Sequence, residues 1–167
     1  MHSRIFQLSP TKLDKDEWLG ISDISEFSMG LFGIDYVSDY DIDRNWDLEN
    51  LAHVLPKEVF KVEGDKIEII SDGSCLWEAH KKKMLDLLNS MEYCGGEKPS
   101  RSYLSFGGYS IARMGKNMLD IDYLFYIDNW DGGIGTANDL LEYAIQAMKD
   151  DKFPNVLYIN SILDYHF

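Results

Sequence analysis

The chain has 167 residues, of which 45% are hydrophobic and 13% aromatic, a composition typical of one globular domain and not of a disordered segment. Its 29 acidic and 16 basic side chains give a formal net charge of -13. This charge disfavours nucleic acid and anionic membranes as partners, because both are bound through Lys and Arg. A cationic protein is the natural partner of such a surface, although acidity can also serve solubility alone.

The first residues, MHSRIFQLSP, lack the basic and apolar regions of a signal peptide. No apolar stretch reaches the ~20 residues of a membrane span. We therefore expect a cytoplasmic protein in which Cys75 and Cys94 are reduced thiols, the alternative being a disulfide between them.

The N-terminal half contains signals for a strand, a helix and a hairpin. The polar stretch from Thr11 to Met29 shows no sustained period, so we expect it to be irregular with about one helical turn. Further on, apolar residues recur at helical spacing between a cap at Asn45 and a stop at Pro56. The predicted elements of this half are a strand over Arg4–Leu8, a helix over Trp46–Leu55, and a β-hairpin of Val59–Val62 with Lys66–Ile70.

The C-terminal half mixes helices and strands. Thr136 is followed three residues later by Asp139, which resembles a capping box with Asp in place of Glu, and Pro154 ends the helix that follows. The predicted helices run over Ser74–Tyr93 and from about Thr136 onward. The predicted strands are Tyr103–Phe106, Ser110–Met114, Leu119–Asp128 and Val156–Ile159.

These elements predict the α+β class, in a single domain spanning residues 1–167. Helices and strands do not alternate strictly, which disfavours a doubly wound parallel sheet. We expect a mainly antiparallel sheet of about five or six strands packed with three helices.

The segment Gly33–Glu49 is the most distinctive part of the sequence. Between Asp14 and Glu49 there are 11 acidic residues and only two basic ones, Lys15 and Arg44. Aromatic residues are interleaved with these carboxylates. This pattern has three interpretations.

In the first interpretation the segment is a protein-docking surface, because aromatic anchors supply contact area and surrounding charges select a basic partner. In the second, Tyr36 and Trp46 are core residues and the Asp side chains cap turns. The residues alone do not decide between the two. The docking candidates are Asp35, Tyr36, Asp39, Tyr40, Asp41, Asp43 and Trp46.

A calcium loop is a third interpretation that the spacing contradicts. Asp41, Asp43 and Asn45 have the D-x-D-x-N start of an EF-hand. However, Trp46 stands where that loop needs Gly, and Ala52 stands where it needs a bidentate Glu. We predict no metal and no cofactor. A metal-binding domain or hydrolytic enzyme that uses the carboxylates of residues 35–49 in another way is the alternative function.

A second acidic patch is predicted at the strand Leu119–Asp128 and the turn after it. Three carboxylates alternate onto one face of this strand, where we expect them to meet water or a partner, because burying them unpaired would be costly. The following Gly-rich turn lacks the motifs of a phosphate-binding loop and is expected to be structural. The candidates of this patch are Asp120, Asp122, Asp128, Trp130 and Asp131.

The sequence shows no catalytic signature. The four histidines are scattered, with His2 and His166 at the two ends of the chain, and none has the spacing of a metal-binding motif. No nucleophile motif such as G-x-S-x-G is present. We therefore predict no catalytic residues and a protein that is not an enzyme.

In overall character the chain resembles the bacterial immunity proteins of contact-dependent growth inhibition and polymorphic toxin systems. The segments that carry the resemblance are Asp35–Trp46 and the Asp-bearing strand that leads into Asn129–Asp131. The resemblance implies a small cytosolic binding protein that neutralises a cationic toxin domain, with a nuclease as the first expectation. Its carboxylates would pair with the Lys and Arg that such a toxin uses for phosphates.

Overall fold

A computed structural model describes residues 2–40, 42–92, 118–119, 121–128 and 133–167. These ranges contain four α-helices and one seven-stranded, mainly antiparallel sheet, which confirms the α+β class. The helices are α1 (Glu26–Phe32), α2 (Arg44–Val54), α3 (Ser74–Glu92) and α4 (Ala137–Ala147). The strands are β1 (His2–Ser9), β2 (Tyr36–Ser38), β3 (Phe60–Glu63), β4 (Lys66–Ile69), β5 (Leu124–Ile127), β6 (Ile134–Gly135) and β7 (Val156–His166).

The two ends of the chain form the centre of the sheet. The strand order is β3-β4-β7-β1-β5-β6, and β7 pairs antiparallel with β1 along most of its length. The predicted last strand ended at Ile159, but β7 continues to His166 because its second half is needed to pair with β1 and β2. β1 and β5 are parallel, so the sheet is mixed.

β4 and β2 share one edge of β7, opposite the edge that β1 occupies. β4 pairs with residues 156–158 and β2 with residues 164–166, which leaves an interval between them. A bulge adds one residue to β7 within this interval. The carbonyls of Ile159 and Asn160 accept hydrogen bonds there from the guanidinium of Arg44, at 2.5 and 2.6 Å. Arg44 therefore attaches the start of α2 to the edge of the sheet.

Both faces of the central strands are buried. On one face Phe6 and Phe125 pack with residues from α2 and α4, including Leu51 and Leu140. On the other face a second cluster contains residues of β1, β5 and β7 together with the segment before β2. Its buried members are Ile5, Leu19, Ile24, Ile34, Leu124, Ile134, Leu163 and Tyr165.

The segment predicted to be irregular therefore has a structural role. It forms two 3-10 turns, Lys15–Glu17 and Ile21–Asp23, followed by the short helix α1. Its apolar residues lack a regular period because they cover a sheet face from turns and not from one helical stripe.

The observed strand β5 is shorter than the predicted strand Leu119–Asp128, and within its four residues it has no polar face. β5 comprises only Leu124–Ile127, and both faces of it are covered, with Leu124 in one core cluster and Phe125 in the other. Asp122 precedes the strand and Asp128 follows it. The alternation of polar and apolar residues predicts one solvent-exposed face, but a strand that is packed against other elements on both faces has none.

Several further boundaries differ from the prediction. α2 begins earlier, with Asp43 and not Asn45 as its cap. The predicted Gly-rich turn ends in the short strand β6, which pairs with β5. Gly133, the residue before β6, has a φ of 73°, a conformation that favours glycine. The hairpin and the capping box of Thr136 and Asp139 are confirmed. The predicted strands Tyr103–Phe106 and Ser110–Met114 lie outside the described residues.

Candidate docking surface

Three large aromatic side chains between β2 and α2 are exposed to solvent. The exposed fractions are 46% for Tyr36, 77% for Tyr40 and 57% for Trp46. The interpretation in which Tyr36 and Trp46 are core residues is therefore wrong. Exposed Tyr and Trp side chains are enriched where proteins bind other proteins.

These aromatic residues follow the edge of β7. Tyr36 is paired with His166, and the Arg44 side chain at the start of α2 bonds the carbonyl of Ile159. The segment between them therefore spans about seven residues of β7, or roughly 20 Å, in the direction opposite to that strand. We call this surface the acidic edge. It consists of Asp35, Tyr36, Asp39, Tyr40, Asp43 and Trp46, all of which are exposed. Asp41, also predicted, lies outside the described residues.

The carboxylates of the acidic edge have different local roles. Asp43 caps α2, its Oδ1 accepting from the backbone N–H of Trp46 at 3.2 Å, as the turn-capping interpretation expects. Asp35 Oδ2 lies 3.0 Å from Nδ1 of His166. No ion pair joins Asp39 or Asp43 to a cation within the described ranges. The acidic edge therefore presents negative charge that the described chain does not neutralise.

A cluster of aromatic rings lies at one end of the acidic edge. Strand pairing places His2 opposite His166 and Tyr36 next to His166. The Tyr36 and His166 rings are stacked with centroids 5.3 Å apart and an interplanar angle of 6°. The His2 ring meets the His166 ring edge-on at 5.3 Å. Sequence reasoning set both histidines aside as terminal, because only the register of β1 and β7 brings them together.

A buried ionic network lies beneath the acidic edge and consists of Arg4, Asp47 and Asp164. Arg4 Nε donates to Asp47 Oδ1 at 2.8 Å, and Arg4 Nη1 donates to Asp164 Oδ1. Asp164 Oδ2 also lies 2.9 Å from His2 Nδ1. Burial raises the pKa of Asp47, and the hydrogen bond from Arg4 opposes that rise. The network joins α2 to the central strands, so Asp47 is not accessible to a partner.

The predicted second patch is divided between two places. Asp122 is exposed and lines a pocket of about 280 Å³ together with His2 and Tyr123, at the same end of the sheet as Tyr36. Asp128 lies at the opposite end of β5 and is half-buried, and burial raises its pKa. Asp120, Trp130 and Asp131 lie outside the described residues. Of the second patch, only Asp122 is therefore seen to adjoin the acidic edge.

A groove of about 380 Å³ separates α2 from the turn between β3 and β4. We call it the α2 groove. Its lining residues are Asn45, Leu48, Glu49, Ala52, Val62 and Gly64. Leu48 and Ala52 are half-buried, and Leu48 also packs against the core. Glu49 lies one helical turn after Trp46, so the groove continues the acidic edge along the helix.

The described residues contain no group of three or more His, Cys, Asp or Glu side chains placed to hold a metal ion. Cys75 is exposed, and Cys94 lies outside the described residues. None of the helices in the described ranges has the length and apolarity needed to cross a membrane. Comparisons with family models, curated proteins and solved structures found no significant match for this chain.

Proposed function

We propose that this protein is a non-enzymatic binding protein that neutralises a cationic toxin domain by covering its active or substrate-binding surface. The observation that supports this proposal is the acidic edge, where three exposed aromatic side chains alternate with carboxylates. Two of these, Asp39 and Asp43, form no ion pair with a cation of the described ranges. Such a surface suits a basic partner because the carboxylates attract and orient it while the rings supply desolvated contact area.

The mechanism we propose is occlusion. A nuclease binds phosphates through Lys and Arg, and those are the side chains that Asp39 and Asp43 would attract. Tyr40 is the most exposed aromatic residue of the edge and would be its central anchor. The long-range attraction speeds encounter and weakens as salt is added, whereas the aromatic contacts slow dissociation.

The decisive experiment begins with affinity capture from the native cell, and the partner is then purified. The first variant combines Asp39→Asn with Asp43→Asn, because Asn retains the capping of α2 while it removes both charges. The second variant is Tyr40→Ala. The matched control combines Glu142→Gln with Asp151→Asn, which removes two charges from exposed residues of α4 and the loop after it.

We expect a basic partner whose activity is inhibited by the wild type and by the control. Both edge variants should bind more weakly, and the double Asn variant should also show a reduced dependence of affinity on salt. Calorimetry with purified partner measures both effects. Equal loss of affinity in the control and the edge variants would show that binding depends on the net charge of the protein and not on the acidic edge. Unchanged affinity in the edge variants would refute the proposal.

A further inference from the structure

The α2 groove combines an apolar floor with a polar rim. Leu48, Ala52 and Val62 supply the floor, and the groove is open to solvent. Glu49 and Asn45 stand at the rim on successive turns of α2. A site of this kind suits a ligand that has an aliphatic part and a charged or polar head.

The charge at the rim is negative. Glu49 is exposed, and no cation of the described ranges forms an ion pair with it. The nearby strands β3 and β4 carry Lys61 and Lys66, but these pair with Glu63 and Glu68 at 2.9 and 3.9 Å. Arg44, at the start of the same helix, is occupied by the carbonyls of β7. The cation that would complement Glu49 must therefore come from outside the described chain.

We propose that the α2 groove receives an arginine side chain of the cationic partner, which rests on the function proposed above. The guanidinium would form a forked pair of hydrogen bonds with the carboxylate of Glu49. Its methylene stem would cover the apolar floor. Trp46 is exposed one helical turn before Glu49, so its ring offers a face on which a planar guanidinium stacks. Lysine satisfies only part of this geometry, because its ammonium is compact and does not stack.

The test is an NMR titration of the full chain with three short peptides that differ at one position. That position holds arginine, lysine or citrulline, and citrulline keeps the shape of arginine without its charge. The variants are Glu49→Gln, which removes the charge at the rim, and Ala52→Phe, which fills the floor. Glu142→Gln on α4 is the matched charge control.

We expect the arginine peptide to shift the backbone signals of Leu48, Glu49 and Ala52, and to bind more tightly than the lysine peptide. Glu49→Gln should weaken its binding about fivefold, the effect of one exposed ion pair of good geometry. Ala52→Phe should abolish the shifts, and Glu142→Gln should leave them unchanged. Equal binding of the citrulline peptide, or full binding by Ala52→Phe, would overturn the proposal.

The two proposals fail in different ways. If the purified partner binds the wild type and is lost from the Asp39 and Asp43 variant but binds Ala52→Phe normally, the function holds and the groove assignment is wrong. If the arginine peptide binds as described but the edge variants bind the partner normally, the groove assignment holds and the proposed function is wrong.

Discussion

Replacing Arg4 by methionine should destabilise the protein by about 3–5 kcal/mol at neutral pH, because the change leaves buried carboxylates without their cation. The Arg4 guanidinium bonds both Asp47 and Asp164, whose side chains are 0% and 7% exposed. Methionine keeps an unbranched apolar stem, so the loss would come from charge and hydrogen bonding more than from packing. For a chain of this length, this corresponds to a melting temperature lower by roughly 6–20 °C.

The destabilisation should depend on pH in a defined direction. Burial raises the pKa of Asp47, and Arg4 is the group that lowers it. Without Arg4 the pKa rises further, so the native state takes up a proton more readily than the unfolded state does. Stability is then gained as the pH falls through the folded pKa and lost as the pH rises. The difference between the variant and the wild type should therefore shrink between neutral pH and about pH 5.

Urea denaturation at the two pH values measures this prediction. The control is the double variant Arg4→Met with Asp47→Leu, which removes the buried carboxylate with the cation and should recover most of the lost stability. In that variant Asp164 also loses Arg4, but it keeps His2 as a hydrogen-bonding partner. If Arg4→Met alone stays within about 1 kcal/mol of the wild type, the network behaves like a surface ion pair and the reasoning is refuted.

Three further predictions test local geometry. Asp43→Ala should cost about 1 kcal/mol through loss of the α2 cap and Asp43→Asn only a few tenths, so equal thermal melts would contradict the capping role. Gly135→Ala would place a Cβ 2.7 Å from Cβ of Asp139 and should cost about 1–3 kcal/mol in urea denaturation. Gly30→Ala, where a Cβ meets nothing within 4 Å, is its control, and equal stability of the two variants would contradict the clash. Burial raises the pKa of Tyr165 to about 12, whereas an unfolded tyrosine ionises near pH 10, so stability should fall as the pH rises between these values. Tyr165→Phe should make that fall shallower, and an unchanged slope would contradict the assignment.

The sequence predicts those elements whose signals are local. The hairpin of β3 and β4 is encoded by alternating residues around a Glu-Gly-Asp turn, and α4 by the capping pair Thr136 and Asp139. β2 has only three residues and no pattern of its own, and it exists because β7 offers an edge on which to pair. The parallel pairing of β1 with β5 likewise depends on contacts between distant parts of the chain.

The candidate surface was predicted in its composition but not in its arrangement. The residues between Asp35 and Trp46 stand out by charge and aromatic content, and their described carboxylates and aromatic side chains are exposed. Leu48 of α2 packs against the core, but the charged residue beside it, Asp47, is buried more completely. Periodicity could not show this, because the burial of Asp47 depends on Arg4, a residue of β1 that lies 43 positions away.

The charge of the acidic edge follows from the fold as well as from composition. Only two basic residues, Lys15 and Arg44, lie between Asp14 and Glu49, and both stand over the ring of Trp18, at 6.0 and 5.4 Å. Arg44 also donates to the carbonyls exposed by the bulge in β7. The fold thus uses a cation of this segment to hold α2 against the sheet, so that cation does not neutralise the carboxylates beside it. If acidity served solubility alone, it would have no reason to be concentrated around exposed aromatic rings, which is why we favour a docking surface.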